Sequence, residues 1–348
     1  LRRLFEAVIN GLYDYAADTR GDCGSWVRVS AMKCLPKILR AIIRRDVGLG
    51  PQEEGEENNI NNTNNNATIL PALDERMPEE IINQVNQLSV SNGGGSTPKA
   101  TTDDKSSPAP GITDSYRFYS PRVSSRVIGG ILRQLAEKID SVRECAGESL
   151  EELLHSKNPS VNNIPYRSEL IGVVSAKQEA RYALPHLIYP RVVKMLDIDC
   201  YRFDVLCGLV HSAGDVNETG SRSARNALLQ YGKDKSKAGK VKDLYILADN
   251  CFKVLSTGGQ RLIVPTLKSI AMLLKHGVFD TFNPTKTEFF NNMFDYVKKL
   301  IQRTRKPMRL LAGLEVLLGF LNYDKPICTQ AVVCILSMIG HPYPIVRA

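Results

Sequence analysis

The chain has 348 residues, with 45 Lys and Arg against 37 Asp and Glu and a formal net charge of +8. No apolar run approaches the roughly 18 to 20 residues that span a bilayer, and no secretory signal is visible. The eight cysteines include no C-x-x-C pair, so reduced thiols on the apolar faces of a cytoplasmic protein are expected, not disulfides or metal ligands.

The first element is a helix with Leu1, Leu4, Phe5, Val8, Ile9 and Leu12 on one face, the spacing of an amphipathic helix. A turn follows, Asp18-Thr19-Arg20-Gly21-Asp22-Cys23-Gly24-Ser25-Trp26-Val27-Arg28, with the only tryptophan of the chain. Gly21 and Gly24 permit a tight turn and Ser25 can cap the next helix. Trp26 is expected to bury its indole where turn and helix meet, with direct contact to a partner as the alternative. Arg20, Asp22 and Arg28 are charges available for hydrogen bonds between repeats or for a partner. Pro36, like Pro265 further on, falls inside a helical pattern, and each predicts a kink or a helix start.

The segment 48–120 changes character. A Glu-rich run at 53–57 leads into an asparagine tract at 58–66 and then Gly93-Gly94-Gly95. Such composition buries too little apolar surface to offset the entropy of ordering. A disordered insertion between the two helices of one repeat is predicted, with a short helix over 78–88 at most. Residues 48–115 hold eleven acidic residues against Arg76, Lys99 and Lys105, a net of −8, which leaves +16 on the rest. That remainder favours acidic partners. Replacing 48–115 with a short Gly/Ser linker is expected to leave the helical content elsewhere unchanged by circular dichroism, because closure entropy varies by only about 1 kcal/mol between such loops.

Beyond the insertion the helical period resumes. Val127, Ile128, Ile131, Leu132 and Leu135 share a face; Asp140 can cap a helix carrying Val142, Cys145, Leu150 and Leu153; Asn158-Pro159 stops it. Further apolar faces run through 244–255, 263–274 (with Pro265 near its start), 293–301 and 310–321. A Val-Arg or Ser-Arg step opens several of these patterns, at Arg28, Arg143, Arg222 and Arg347. Arg143 to Arg222 is 79 residues and Arg222 to Arg347 is 125, close to two and three units of the roughly 40-residue HEAT period. The fold class is therefore all-α, an α-solenoid of HEAT/armadillo-like repeats. Its segments are 1–47, the insertion 48–120 and 121–348, with the first and last forming one array. Neither end carries the polar face of a capping repeat, so a piece of a longer array is expected.

Catalytic patterns are missing. Gly232 to Val241 imitates a phosphate loop, but its glycines are too far apart and Val241 stands where Ser or Thr would hold magnesium. Lys233, Lys235, Lys237, Lys240 and Lys242 are instead read as a basic loop between helices. The five histidines show no metal-ligand spacing. No enzyme activity, cofactor or metal is expected.

The string from Arg20 to Arg28, together with 201–210, 275–280 and His341-Pro342-Tyr343-Pro344-Ile345-Val346-Arg347, resembles the C-terminal region of the tubulin-specific chaperone D (tubulin folding cofactor D) family. The 48–115 tract has no counterpart in that pattern. The resemblance implies a HEAT-repeat scaffold that binds β-tubulin and helps assemble and disassemble the αβ-tubulin dimer. Other tubulin folding cofactors and an Arf-like small GTPase are the implied partners, in the cytoplasm or at microtubules and centrosomes, with no membrane and no nucleic acid. Arg20, Asp22, Trp26 and Arg28 are the candidate partner-binding residues. A scaffold for nucleic-acid complexes and an importin-type receptor are the alternatives. Neither an aromatic-arginine groove nor an acidic inner ladder supports them.

Overall fold

A computed structural model describes residues 2–19, 21–46, 120–157, 160–174, 182–214, 218–282, 287–302 and 304–347. The described residues form an all-α helical-repeat solenoid. In chain order the helices are α1 (Arg2–Gly11), α2 (Gly24–Asp46), α3 (Pro121–Leu135), α4 (Asp140–His155), α5 (Arg167–Val174), α6 (Pro185–Val192) and α7 (Asp199–Ala213). They continue as α8 (Glu218–Lys237), α9 (Val241–Thr257), α10 (Ile263–Lys275), α11 (Thr287–Gln302), α12 (Pro307–Gly319), α13 (Ile327–Met338) and α14 (Pro344–Arg347). None is long and apolar enough to cross a membrane.

The helices stack in two rows. In one, α1 packs on α3, α3 on α7, α7 on α10, α10 on α12 and α12 on α14. In the other, α2 packs on α4, α6 on α8, α8 on α9, and α11 on α13. Antiparallel pairs such as α1/α2, α3/α4 and α11/α12 cross between the rows, so each pair buries an apolar side on the next. Val127, Ile131, Leu135, Leu206, Val210, Leu267 and Leu274 are all fully or almost fully buried along the first row.

Several local expectations need correction. The 48–120 segment joins α2 to α3, and so falls between pairs and not within one. Apart from Ser120, whose hydroxyl accepts from the Val123 amide at the start of α3, it lies outside the described residues, as does the helix expected at 78–88. Pro36 sits inside α2 without starting or ending it, whereas Pro265 occupies the first turn of α10, the helix start that was one of its two expected places, where its missing N–H costs nothing. Asp140 is the first residue of α4 and does not cap it; its carboxylate accepts from Arg143 instead.

The recurring arginines have a physical role that their spacing only partly anticipated. Near the start of a helix, Arg143, Arg202 and Arg347 each reach back to carbonyls five and six residues upstream, whereas Arg28 takes the Asp14 carbonyl, fourteen residues upstream. Arg143 donates to Glu137 and Lys138 at 2.8 Å, Arg202 to Leu196 at 2.7 Å and Asp197 at 3.4 Å, and Arg347 to His341 at 2.9 Å and Pro342 at 3.4 Å. Arg167 does the same to Val161 at 2.6 Å. These are the carbonyls that a turn leaves unpaired, and a guanidinium satisfies several at once. Arg222 is exposed on α8 and takes no such part; on the same helix Arg225 donates to the Ala213 carbonyl at 3.2 Å.

Candidate functional site

The turn between α1 and α2 is built from the inside outward. Arg28 is fully buried. Its guanidinium donates to the Asp14 carbonyl at 2.6 Å and pairs with both Asp22 carboxylate oxygens at 3.1 and 2.9 Å. It also lies 4.1 Å from the centre of the Tyr15 ring, in cation–π range. Asp22, and not Ser25, supplies the helix cap: its carboxylate accepts from the Ser25 amide at 3.1 Å, while the Ser25 hydroxyl donates to the Asp22 carbonyl at 2.6 Å. Gly21 has φ 126°, and a Cβ on Gly24 would lie 2.7 Å from the Asp14 carbonyl oxygen, so both positions demand glycine.

Neighbouring helices hold the back of this turn. The Gln134 amide at the end of α3 donates to the Leu12 carbonyl at 2.7 Å and the Tyr15 hydroxyl at 3.0 Å. His211 of α7 meets Tyr15 edge-on at 5.6 Å and hydrogen-bonds Glu137 at 3.1 Å. Burial opposes the charge on Glu137, but the hydrogen bond and charge of His211, with Arg28 and the Lys138 amide, outweigh it and hold this carboxyl at about 2, below its ordinary 4.5. A depressed carboxyl stabilises the fold above its unfolded value and loses that contribution as pH falls through its folded value. Unfolding free energy is therefore expected to drop between about pH 4.5 and pH 2, and Glu137→Gln to flatten that segment of the profile in urea melts. An unchanged profile would contradict the pairing.

The outer side of the same turn is different. Trp26 is 71% exposed, which corrects the expectation of a buried indole. The reason is helical phase: Arg28, Met32, Leu35 and Leu39 form the buried stripe of α2, and Trp26 precedes Arg28 by about 200° of rotation. It stands with Val29, Ser30 and Lys33 on one wall of an open groove of about 490 Å³. Ser141, Glu144, Cys145 and Glu148 of α4 form the other wall. Exposed aromatic surface beside mixed charge is a surface suited to a protein partner.

The four candidate binding residues thus separate. Trp26 faces solvent, Asp22 and Arg28 are engaged with each other, and Arg20 lies outside the described residues. A partner can meet Trp26 directly, whereas Arg28 acts only by shaping the turn. The basic loop also changes: Lys233, Lys235 and Lys237 belong to α8 and Lys242 to α9, so only Lys240 lies in the connection between them. Lys235 is taken up by Asp197 at 2.5 Å and Asp243 at 2.9 Å. Glu137 and His211, 74 residues apart, are members of this site with no local sequence signal. Among the described residues no group of His, Cys, Asp and Glu is arranged to hold a metal ion.

The chain is 22% identical over 346 residues to the tubulin-specific chaperone D of Dictyostelium discoideum, covering 94% of this chain and 20% of that protein. It thus spans about a fifth of the length of that relative. No solved structure matches it. Residues 125–309, from the first turns of α3 into α12, match the family described as tubulin folding cofactor D C terminal. That match covers more than half of the chain, which belongs to the tubulin folding cofactor D C-terminal family.

Proposed function

We propose that this chain is a tubulin-binding scaffold within a tubulin folding cofactor. It holds β-tubulin while other folding cofactors bring α-tubulin alongside, and it takes part in separating the dimer, under the control of an Arf-like small GTPase. The observation that carries this reading is the exposed Trp26 at the mouth of a groove between α2 and α4, on a chain that belongs to this family. The positive balance of +16 outside 48–115 supports an acidic partner and speeds encounter with it. Chemistry is left to the partners: the chain contributes a shaped surface held by buried arginines.

The test is a pull-down of purified αβ-tubulin, and separately of the GTP-bound small GTPase, by the immobilised 348-residue chain. Retention of tubulin at low salt, reduced at high salt, is expected. Retention of neither protein would contradict the reading.

A further inference from the structure

A second groove, of about 610 Å³, lies between α6 with its following 3-10 turn (Val193–Asp197) and α8. Its floor is apolar, with Val193 and Ala227 buried, and its opposite rims carry Lys194 and Lys233. Neither lysine forms an ion pair or hydrogen bond among the described residues. This contrasts with Lys235, two residues further along α8, which two carboxylates neutralise. The one acidic side chain of the groove, Asp234, accepts from the Gln230 amide at 2.7 Å.

The unpaired cations extend beyond the groove in line. Arg222, Asn226, Lys233 and Lys237 are spaced at i, i+4, i+11 and i+15 on α8, which puts them on one stripe within about 60° and about 22 Å long. A stripe of that length matches about six or seven residues of extended chain. The charges are strung out, so they do not converge on one phosphate. Among the described lining, Tyr231 commits its hydroxyl to Asp197 at 2.7 Å and its ring to Lys235 at 5.2 Å, which leaves the exposed His186 as a single ring on which a base could stack, not a series of them along the stripe. One arginine, one side-chain amide and two lysines in that order along the stripe fit carboxylates and backbone amides.

We infer that the α6–α8 groove docks an extended acidic peptide segment of a protein partner, with Lys194 and Lys233 gripping it from the two sides. The inference deepens the tubulin-binding reading, and its peptide arm is independent of that reading. It lies wholly within the stretch that matches the family, away from the Trp26 groove.

The experiment is fluorescence anisotropy of the full chain with a labelled eight-residue Glu/Gly peptide at low salt. Three proteins are compared: wild type, Lys194→Glu/Lys233→Glu, and Lys298→Glu/Lys299→Glu on α11 as a charge-matched control, each with helical content checked by circular dichroism. At least tenfold weaker binding is expected for the groove variant and less than twofold for the control. Asn226→Leu, which keeps all charges, is expected to weaken binding about threefold. Equal losses in both charge variants would reduce the effect to net charge and overturn the assignment, as would absence of peptide binding by the wild type. Tighter binding of a duplex oligonucleotide, lost in the same groove variant, would make the groove a nucleic-acid site. A tenfold gain on removing residues 48–115 would make this chain's own acidic tract the occupant; either result overturns the inference. Peptide bound equally by wild type and groove variant, with tubulin retained by both, overturns the groove and leaves tubulin binding standing. Peptide bound through Lys194 and Lys233 by a chain that retains no tubulin upholds the groove and overturns the tubulin reading.

Discussion

Arg143→Ala is expected to lower the unfolding free energy of the array by about 3 to 5 kcal/mol, as removal of one partner from a buried polar network does. Arg143 is fully buried and serves more acceptors than any other arginine described above. It donates to the Glu137 and Lys138 carbonyls at 2.8 Å, to the Asp140 carboxylate at 2.5 Å, and across to the Tyr182 carbonyl at 3.3 Å and the Ala183 carbonyl. The last two belong to the stretch leading into α6, so one guanidinium ties the α3–α4 turn to the next part of the array. Truncation leaves these acceptors, the Glu137 and Tyr182 carbonyls among them buried, without their donor and opens a void. Arg143→Lys is expected to recover less than half of the loss, because an ammonium cannot reproduce the planar fork. Urea unfolding followed by circular dichroism measures both. A loss below about 1 kcal/mol for the alanine variant would mean that water replaces the arginine at little cost.

Trp26→Ala is expected to do the reverse: change unfolding free energy by less than about 0.5 kcal/mol, as exposed substitutions do, and weaken tubulin binding by about 2 kcal/mol or more, roughly thirtyfold. The indole is 71% exposed, so its removal opens no cavity in the core. Arg28→Ala supplies the contrast. Its side chain is buried against Asp14, Asp22 and Tyr15, so it is expected to lose stability first and binding only as a consequence. Melting and binding measured side by side separate the two roles. A large drop in stability for Trp26→Ala with binding intact would return the indole to the interior.

How far the sequence discloses this arrangement depends on range. Helix positions were legible because apolar residues recur at helical spacing, and Val127 to Leu135 or Ile263 to Leu274 are buried as that spacing requires. The direction in which Trp26 points is legible too, in the phase of Met32, Leu35 and Leu39, although the size of the indole argues for burial. The arginine register was partly legible: Arg28, Arg143 and Arg347 take up turn carbonyls, whereas Arg222 does not and Arg202 does. The lysines around 233–242 read as a loop because glycines at 232 and 239 bracket them, yet Gly232 packs against Val278 within α8. It is a close-packing glycine, not a breaker. Nothing local announces the Glu137–His211 pair or the Lys194–Lys233 groove, since each forms only when helices distant in sequence stack.

Whether the chain binds tubulin is most directly measured by sedimentation velocity, with αβ-tubulin dimer held at a fixed low concentration and the 348-residue chain titrated against it. The account predicts a faster-sedimenting complex that forms without added nucleotide exchange or hydrolysis, weakens as salt is raised, and is lost in Trp26→Ala at concentrations where the wild-type complex persists. Two independent boundaries at all ratios, or a complex that forms equally well without the Trp26 side chain and at high salt, would contradict it.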